Sequence, residues 1–314
     1  MTNAHSIKTT LLLAATQLKA QGIDAETAKF EAQLLLQHAL NVNRAWLISH
    51  ENYALQPNIH GAYRVLINRR VNGEPIAYIL GVREFYGLNL KVTPATLIPR
   101  ADTETLVEVA LAIIPQNDNT SSPLFPRRRG SMLNLNQKID SCLRGNDELR
   151  ILDLGTGTGA IALAIAKHCP HTHVTALDAS QAALNIAIEN ALNLEIANVK
   201  FILSDWFSHL KDQQFHVIVS NPPYIEANDV HLSQGDLPWE PLSALVAGQD
   251  GLSDIRRIIQ NAPQHLNPHG YLLLEHGYNQ AEAVADLLKQ TGFSEIETIK
   301  DLGGNNRVTL GRHC

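Results

Sequence analysis

Ile151-Leu-Asp-Leu-Gly-Thr-Gly-Thr-Gly159, followed by Ala160-Ile-Ala-Leu-Ala-Ile-Ala166, reads as a short apolar strand, a glycine-rich turn and a helix. Glycines in such a turn reach positive φ without strain and let a ligand approach the backbone closely. Alone, the three alternating glycines are weak evidence, because tight turns and dinucleotide sites use them too. Two further strand ends add to them. Val174-Thr-Ala-Leu-Asp178 closes on a carboxylate about twenty residues beyond the glycines, where an acid can accept both hydroxyls of a ribose. Ser180 is the better N-cap for the helix that follows, which relieves Asp178 of that duty. Val199-Lys-Phe-Ile-Leu203 leads into Ser204-Asp205-Trp206, an acceptor for an adenine amino group and an aromatic surface for its ring. Gly155, Thr156, Gly157, Thr158, Gly159, Asp178 and Trp206 together describe an adenosine site. Asp153, at the end of the first strand, suits an ammonium group, which S-adenosylmethionine carries and NAD does not.

Outward from this core the pattern repeats. Val217-Ile-Val219 and Tyr271-Leu-Leu-Leu274 are further apolar runs, and helical stripes such as Leu184, Ala187, Ile188 and Ala191 alternate with the runs. Strand and helix in alternation predict a parallel sheet covered on both faces. Ile296-Glu-Thr-Ile299 and Val308-Thr-Leu310 flank Gly303-Gly-Asn-Asn306 with no helix between them, so the chain should close on an antiparallel hairpin. That ending separates a methyltransferase sheet from an all-parallel dinucleotide sheet.

Residues 1–82 read as a helical bundle. Leu11, Ala15 and Leu18 form one stripe, and Ala28, Ala32, Leu35 and Ala39 a second behind Asp24 as N-cap. Tyr63, Leu66, Ile67 and Arg70 form a third, ended by Gly73 and Pro75. Residues 83–97 hold a hairpin broken at Gly87, a linker to the domain spanning 98–314, and Asp102 or Thr103 is expected to cap a helix carrying Leu106, Val109, Ala110 and Ile113. Within 116–148, Ser121-Ser-Pro123, Arg127-Arg-Arg-Gly130 and Gly145-Asn-Asp147 are polar and aperiodic, as expected of a disordered surface insert. The triple arginine fits a solvated basic run better than a nucleic-acid contact.

Asn221-Pro-Pro-Tyr224, after the apolar Phe215-His-Val-Ile-Val-Ser220, carries the reactive chemistry. An amide or exocyclic amine nitrogen is a poor nucleophile because its lone pair is delocalised, so it must be oriented and its two protons accepted. The Asn221 side-chain oxygen and the Pro222 carbonyl are acceptors, Pro222 and Pro223 stiffen the loop, and the Tyr224 ring can lie against a flat group. Beside an adenosine site this predicts methyl transfer to a planar nitrogen, with Asn221, Pro222 and Tyr224 as the catalytic group and Asn221 also close to the cofactor.

Composition narrows the choice. The 314 residues carry a formal net charge of −6 and a pI near 6.1, which gives no global basic footprint for nucleic acid. Cys142, Cys169 and Cys314 show no paired spacing and fit a reducing cytosol. Leu11 to Ala15 is too short for a signal h-region or a membrane span, so a cytoplasmic enzyme is expected. His168-Cys-Pro-His-Thr-His173 has no second cluster at ligand spacing, and no metal is expected.

With these residues in place, the chain closely resembles the bacterial peptide chain release factor N5-glutamine methyltransferases. Gly73-Glu-Pro-Ile-Ala-Tyr78, Gly81-Val-Arg-Glu-Phe85, Thr96-Leu-Ile-Pro-Arg100, Asp102-Thr-Glu104, Glu240-Pro-Leu-Ser-Ala-Leu245, Leu274-Glu-His-Gly277 and Arg307-Val-Thr-Leu-Gly311 resemble family signatures too. The chain departs at Ala101, where proline is usual, and in the insert. The resemblance implies a Rossmann-like class I fold with a seven-stranded sheet and a helical N-terminal domain that engages the substrate. It implies transfer from S-adenosyl-L-methionine to the glutamine N5 of a Gly-Gly-Gln motif in class 1 release factors. Gly155 to Gly159 would line the methionine part, Asp178 would hold the ribose, Trp206 would flank the adenine and Asn221 to Tyr224 would hold the glutamine amide. Arg100, Thr103 and Glu104 are expected near the cleft. Methylation of an adenine or guanine amino group is the alternative, since Asn-Pro-Pro-Tyr occurs there as well; the acidic charge and the N-terminal signatures weigh against direct nucleic-acid binding.

Overall fold

Apolar spacing of three and four residues winds the first part of the chain into helices, and the computed structural model, which describes residues 6–115 and 148–314, resolves five of them there. They are α1 (Ile7–Lys19), α2 (Ala25–Leu40), α3 (Arg44–Ser49), α4 (Pro57–Val71) and α5 (Ile76–Leu80). Asp24 caps α2 as its sequence suggests, accepting from the Glu26 and Thr27 backbone N–H groups at 3.1 and 3.0 Å. Ile7, Ala14, Leu18, Ala28, Ala32, Leu35, Leu36, Leu47, Tyr63 and Ile67 form the core of this unit. Each large aliphatic side chain so buried contributes about 1.5 to 3 kcal/mol. Tyr63 satisfies its buried hydroxyl by donating to the Ala32 carbonyl at 3.0 Å. Arg70 grips Glu31 with two bonds of 2.9 and 3.0 Å, tying α4 to α2. Packing gathers residues up to Val82 and the segment Ser233–Trp239 into this unit, and Arg83–Leu232 with Glu240–Cys314 into the second.

From Arg83 the second unit takes up the hairpin of β1 (Val82–Phe85) and β2 (Leu88–Lys91), whose turn places Tyr86 and Gly87 at positive φ, as a two-residue connection requires. A turn of 3₁₀ helix leads into α6 (Glu104–Ile113). There follow β3 (Arg150–Leu154), α7 (Ala160–His168), β4 (His173–Asp178), α8 (Gln181–Asn193), β5 (Val199–Leu203), β6 (Phe215–Ser220), α9 (Ser253–His265), β7 (Leu266–Glu275), α10 (Ala281–Gln290), β8 (Ser294–Lys300) and β9 (Asn306–Arg312). Up to residue 147, the insert expected over 116–148 lies outside the described residues.

Seven strands form one sheet in the order β5-β4-β3-β6-β7-β9-β8. All run parallel except β9, which pairs antiparallel with both β7 and β8, so the expected terminal hairpin is present. Alternate residues of each strand serve opposite faces. Ile151, Val217, Val219 and Leu273 pack with α6 and α7. Leu152, Ile218, Leu272 and Leu274 pack with α9 and α10. The strand order reverses between β3 and β6, where crossovers leave in opposite directions, and sheets of this kind take their ligands at the carboxyl ends of the strands there.

Candidate active site

Leu154 and Ser220 are register partners at the ends of β3 and β6, and the Ser220 hydroxyl donates to the Leu154 carbonyl at 2.7 Å. Gly155 and Asn221 are therefore the next residues of two adjacent strands at the switch point. The glycine loop is tied to its other neighbour by the Gly155 and Thr156 N–H groups, which donate to the Leu177 carbonyl at 2.9 and 2.8 Å.

Asp178 meets this loop directly. Its Oδ2 accepts the Gly157 N–H and its Oδ1 the Ser180 N–H, both at 2.8 Å. A carboxylate offers about four lone-pair directions, so two backbone bonds leave acceptor capacity on each oxygen. Burial raises its pKa, and backbone bonds from Ser180, Gly157 and Ala179 offset part of that. Ser180 caps α8 with its own hydroxyl, as expected. Gly157, at φ 56°, has nothing within 4 Å of the point where a Cβ would sit, so its backbone faces open space. Gly155 is exposed, whereas Thr156, Thr158 and Gly159 are buried and support the loop from beneath. The Trp206 ring lies 3.6 Å from the Cβ position of Gly155, and its side chain lowers the pKa of Asp254 of α9, which burial raises. An open glycine backbone, a carboxylate with spare acceptors and an indole wall fit a ligand with a ribose and a flat base.

Asp153 is placed differently from its sequence reading. It is wholly buried; its Oδ2 accepts the Thr156 hydroxyl at 2.6 Å, and burial pushes its pKa up to about 7. The carboxyl braces the loop from within. Asp205, read as an adenine acceptor, is exposed and gripped by Arg257 at 2.9 and 2.8 Å.

The Asn221-Pro-Pro-Tyr224 loop is held by its side chains. Asn221 Nδ2 donates to Thr103 Oγ1 at 3.1 Å, which commits the amide nitrogen and leaves Oδ1 as the group to be offered. Pro222 is buried, with Asn221, Pro223 and Tyr224 half-buried. The Tyr224 hydroxyl donates to Glu275 Oε1 at 3.3 Å, and the Tyr224 carbonyl accepts from Gln280 Nε2 at 3.0 Å. Burial, with Glu275 alongside, raises the tyrosine's pKa.

Thr103 does not cap α6: it stands at the N-cap with helical dihedrals and no side-chain cap bond, its hydroxyl being turned to Asn221. Asp102 forms an ion pair with Arg307 at 3.2 Å instead. Arg100 binds the buried Glu240 through bonds of 2.8 and 2.7 Å, and Glu104 accepts the Tyr86 N–H at 3.0 Å, steadying the hairpin. Thr103 is hydrogen-bonded to the loop, and Arg100 acts on Tyr224 through its charge.

Sequence reading passed over Glu275, quoted above only as part of a signature. A signal was there. Asp178 and Glu275 each end an apolar strand, at the carboxyl edge where sheets of this kind take a ligand. Among the described residues, no group of three or more His, Cys, Asp or Glu is placed to hold a metal, and no helix is long and apolar enough to cross a membrane.

This sheet order, with an antiparallel β9, a glycine loop and an acid at the next strand end, defines a class I methyltransferase fold. Sequence comparison agrees: the Methyltransferase small domain matches residues 136–236 and the PrmC N-terminal domain residues 10–81. A release factor glutamine methyltransferase of Salmonella typhimurium is 46% identical over 92% of this chain and 94% of its own length. One from Vibrio cholerae is 44% identical over 98% and 97%. The chain belongs to the release factor glutamine methyltransferase family. The hMettl16 catalytic domain, solved with an MAT2A 3′UTR hairpin, shares the fold, with a TM-score of 0.52, 15% identity and coverage of 79% of this chain and 81% of that one.

Proposed function

We propose that the chain methylates the N5 amide nitrogen of the glutamine in the Gly-Gly-Gln motif of class 1 release factors, in the cytoplasm, with S-adenosyl-L-methionine as donor. The observation that carries this reading is the polarity of Asn221: its nitrogen is bound to Thr103, so its oxygen is the group left to face an amide that must give up hydrogen-bonding protons. Membership of the family supports the same substrate. Asn221 Oδ1 and the Pro222 carbonyl accept the two amide protons, and the Tyr224 ring borders the flat group. In-line placement of the nitrogen then provides most of the acceleration.

Gly155 to Gly159 line the amino-acid end of the cofactor, Asp178 holds the ribose and Trp206 flanks the adenine. When bound, the cofactor supplies an electrophilic methyl on a sulfonium. The helical unit, residues 1–82 with the hairpin 83–97 following, helps to engage the release factor, and the remainder to residue 314 carries the transfer.

Incubating the chain with a class 1 release factor and isotopically labelled cofactor, then sequencing the Gly-Gly-Gln peptide by mass spectrometry, tests the reading. One labelled methyl on the glutamine side chain is expected. Label on added DNA or RNA, with an unmodified peptide, would show a nucleic-acid methyltransferase instead.

A further inference from the structure

Two bonds made by its own side chains hold the Asn221-to-Tyr224 loop, and one of them ends on a buried acid. Asn221 Nδ2 donates to Thr103 Oγ1, and the Tyr224 hydroxyl donates to Glu275 Oε1. Thr103 is 4% exposed and Glu275, the last residue of β7, 1% exposed. The Thr103 hydroxyl also acts on the Glu275 carboxyl, lowering its pKa as the Tyr224 hydroxyl does. Glu275 Oε2 is buried and has no hydrogen-bond partner among the described residues.

Proton counting gives this arrangement a direction. Thr103 has one hydroxyl proton, and its oxygen already accepts from Asn221, so the proton goes to an acceptor. An ionised carboxylate is acceptor-only, and Glu275 is the acid at hand. The chain of donors then runs from the Asn221 nitrogen through Thr103 to Glu275. A neutral amide at position 275 could donate to Thr103 and turn the hydroxyl back on Asn221. Oxygen and nitrogen of a carboxamide are nearly the same size, so Asn221 could rotate to accept that proton and turn its NH₂ outward. An NH₂ facing a substrate NH₂ sets donor against donor.

We propose that Glu275 is a positioning residue for methyl transfer, acting through Thr103 and Tyr224 to fix which end of the Asn221 carboxamide faces the methyl-accepting nitrogen. This rests on the reading that the loop holds the substrate amide. The charged groups around Glu275 are Arg307 of β9, itself bound to Asp301 at 3.0 Å, and Asp102 before α6; Tyr224 faces it from the loop. The adjacent His276 is turned away, its ring nitrogens on the Gly277 carbonyl and the Thr309 hydroxyl at 2.8 and 2.7 Å. Burial pushes the Glu275 pKa up to about 7, with Thr103 and Arg307 opposing, so the ionised form that orients the relay gains population as pH rises through that value.

The test uses the full chain with a release factor substrate and compares Glu275→Gln, Thr103→Val and Thr103→Ser for kcat, KM, cofactor affinity and the pH dependence of kcat. Glu275→Gln and Thr103→Val are each expected to lower kcat about tenfold or more, the effect of misorienting one preorganised polar group, while cofactor affinity holds. Thr103→Ser, which restores the hydroxyl, recovers transfer relative to Thr103→Val. The unaltered chain gains kcat through about pH 7, and Glu275→Gln loses that rise. Should Glu275→Gln fail to fold, the threonine pair and the pH profile of the unaltered chain decide the matter. Equal rates for Thr103→Val and Thr103→Ser, or a Glu275→Gln chain with the original kcat and pH profile, overturn the proposal while leaving the methyltransferase reading intact. If the unaltered chain transfers nothing to a release factor, that reading falls and the proposal with it.

Discussion

Asp178 accepts two backbone N–H groups, one from Gly157 and one from Ser180, and still has lone pairs for a ligand. On the proposed assignment its replacement by alanine removes a loop tie and a ribose acceptor together. Loss of a charged hydrogen-bond partner costs about 1.5 to 3 kcal/mol, so Asp178→Ala should weaken cofactor binding roughly tenfold to a hundredfold. Titration calorimetry showing unaltered affinity would take Asp178 out of the site. At this scale much was legible from sequence: Asp178, Trp206 and Asn221 to Tyr224 could be singled out because each follows an apolar strand, where the fold delivers side chains to a rim. What could not be read were pairings across long separations. Thr103 looks like a helix cap until Asn221, far along the chain, takes its hydroxyl, and Asp153 looks available to a ligand until its burial is seen.

At the scale of elements, Gly251 before α9 explains why the Tyr224 end of the loop lies where it does. It adopts φ 69°, and a Cβ there would run into the Tyr224 carbonyl and Gln280 Nε2. Gly251→Ala combines backbone strain with a clash against main chain, and should cost about 1 to 3 kcal/mol. We expect a lower melting temperature and slower methyl transfer from this substitution; a chain unaltered in both would show that the loop tolerates displacement. Periodicity located the helices and strands because their burial repeats at 3.6 or 2 residues. It could not assign Ser233–Trp239, a stretch too short for a period, which packs with the helical unit through contacts that include the Trp239 indole beside Gly73.

Across the whole molecule, Asp153 and Glu275 are buried carboxyls with pKa values pushed up to about 7, from ordinary values near 3.8 and 4.5. The folded state holds these protons more tightly than the unfolded one, so the stability they confer is complete below about pH 4 and is lost as pH rises through 7. His276, whose pKa burial lowers, acts in the opposite sense, losing stability as pH falls. A variant comparison separates them: Asp153→Asn should show a smaller decline in urea midpoint between pH 5 and pH 8 than the unaltered chain, and equal declines would contradict the raised Asp153 pKa.

The central claim is a division of labour at the switch point, with the glycine loop and Asp178 serving the cofactor and the Asn221 loop serving the methyl acceptor. Measuring cofactor affinity and transfer rate side by side in Asn221→Ala tests it most directly. The account expects transfer to fall by about 10² or more, the scale of losing one preorganised polar group, with cofactor affinity nearly unaltered. An Asn221→Ala chain that loses cofactor affinity in proportion to its rate would place Asn221 with the cofactor and contradict the division.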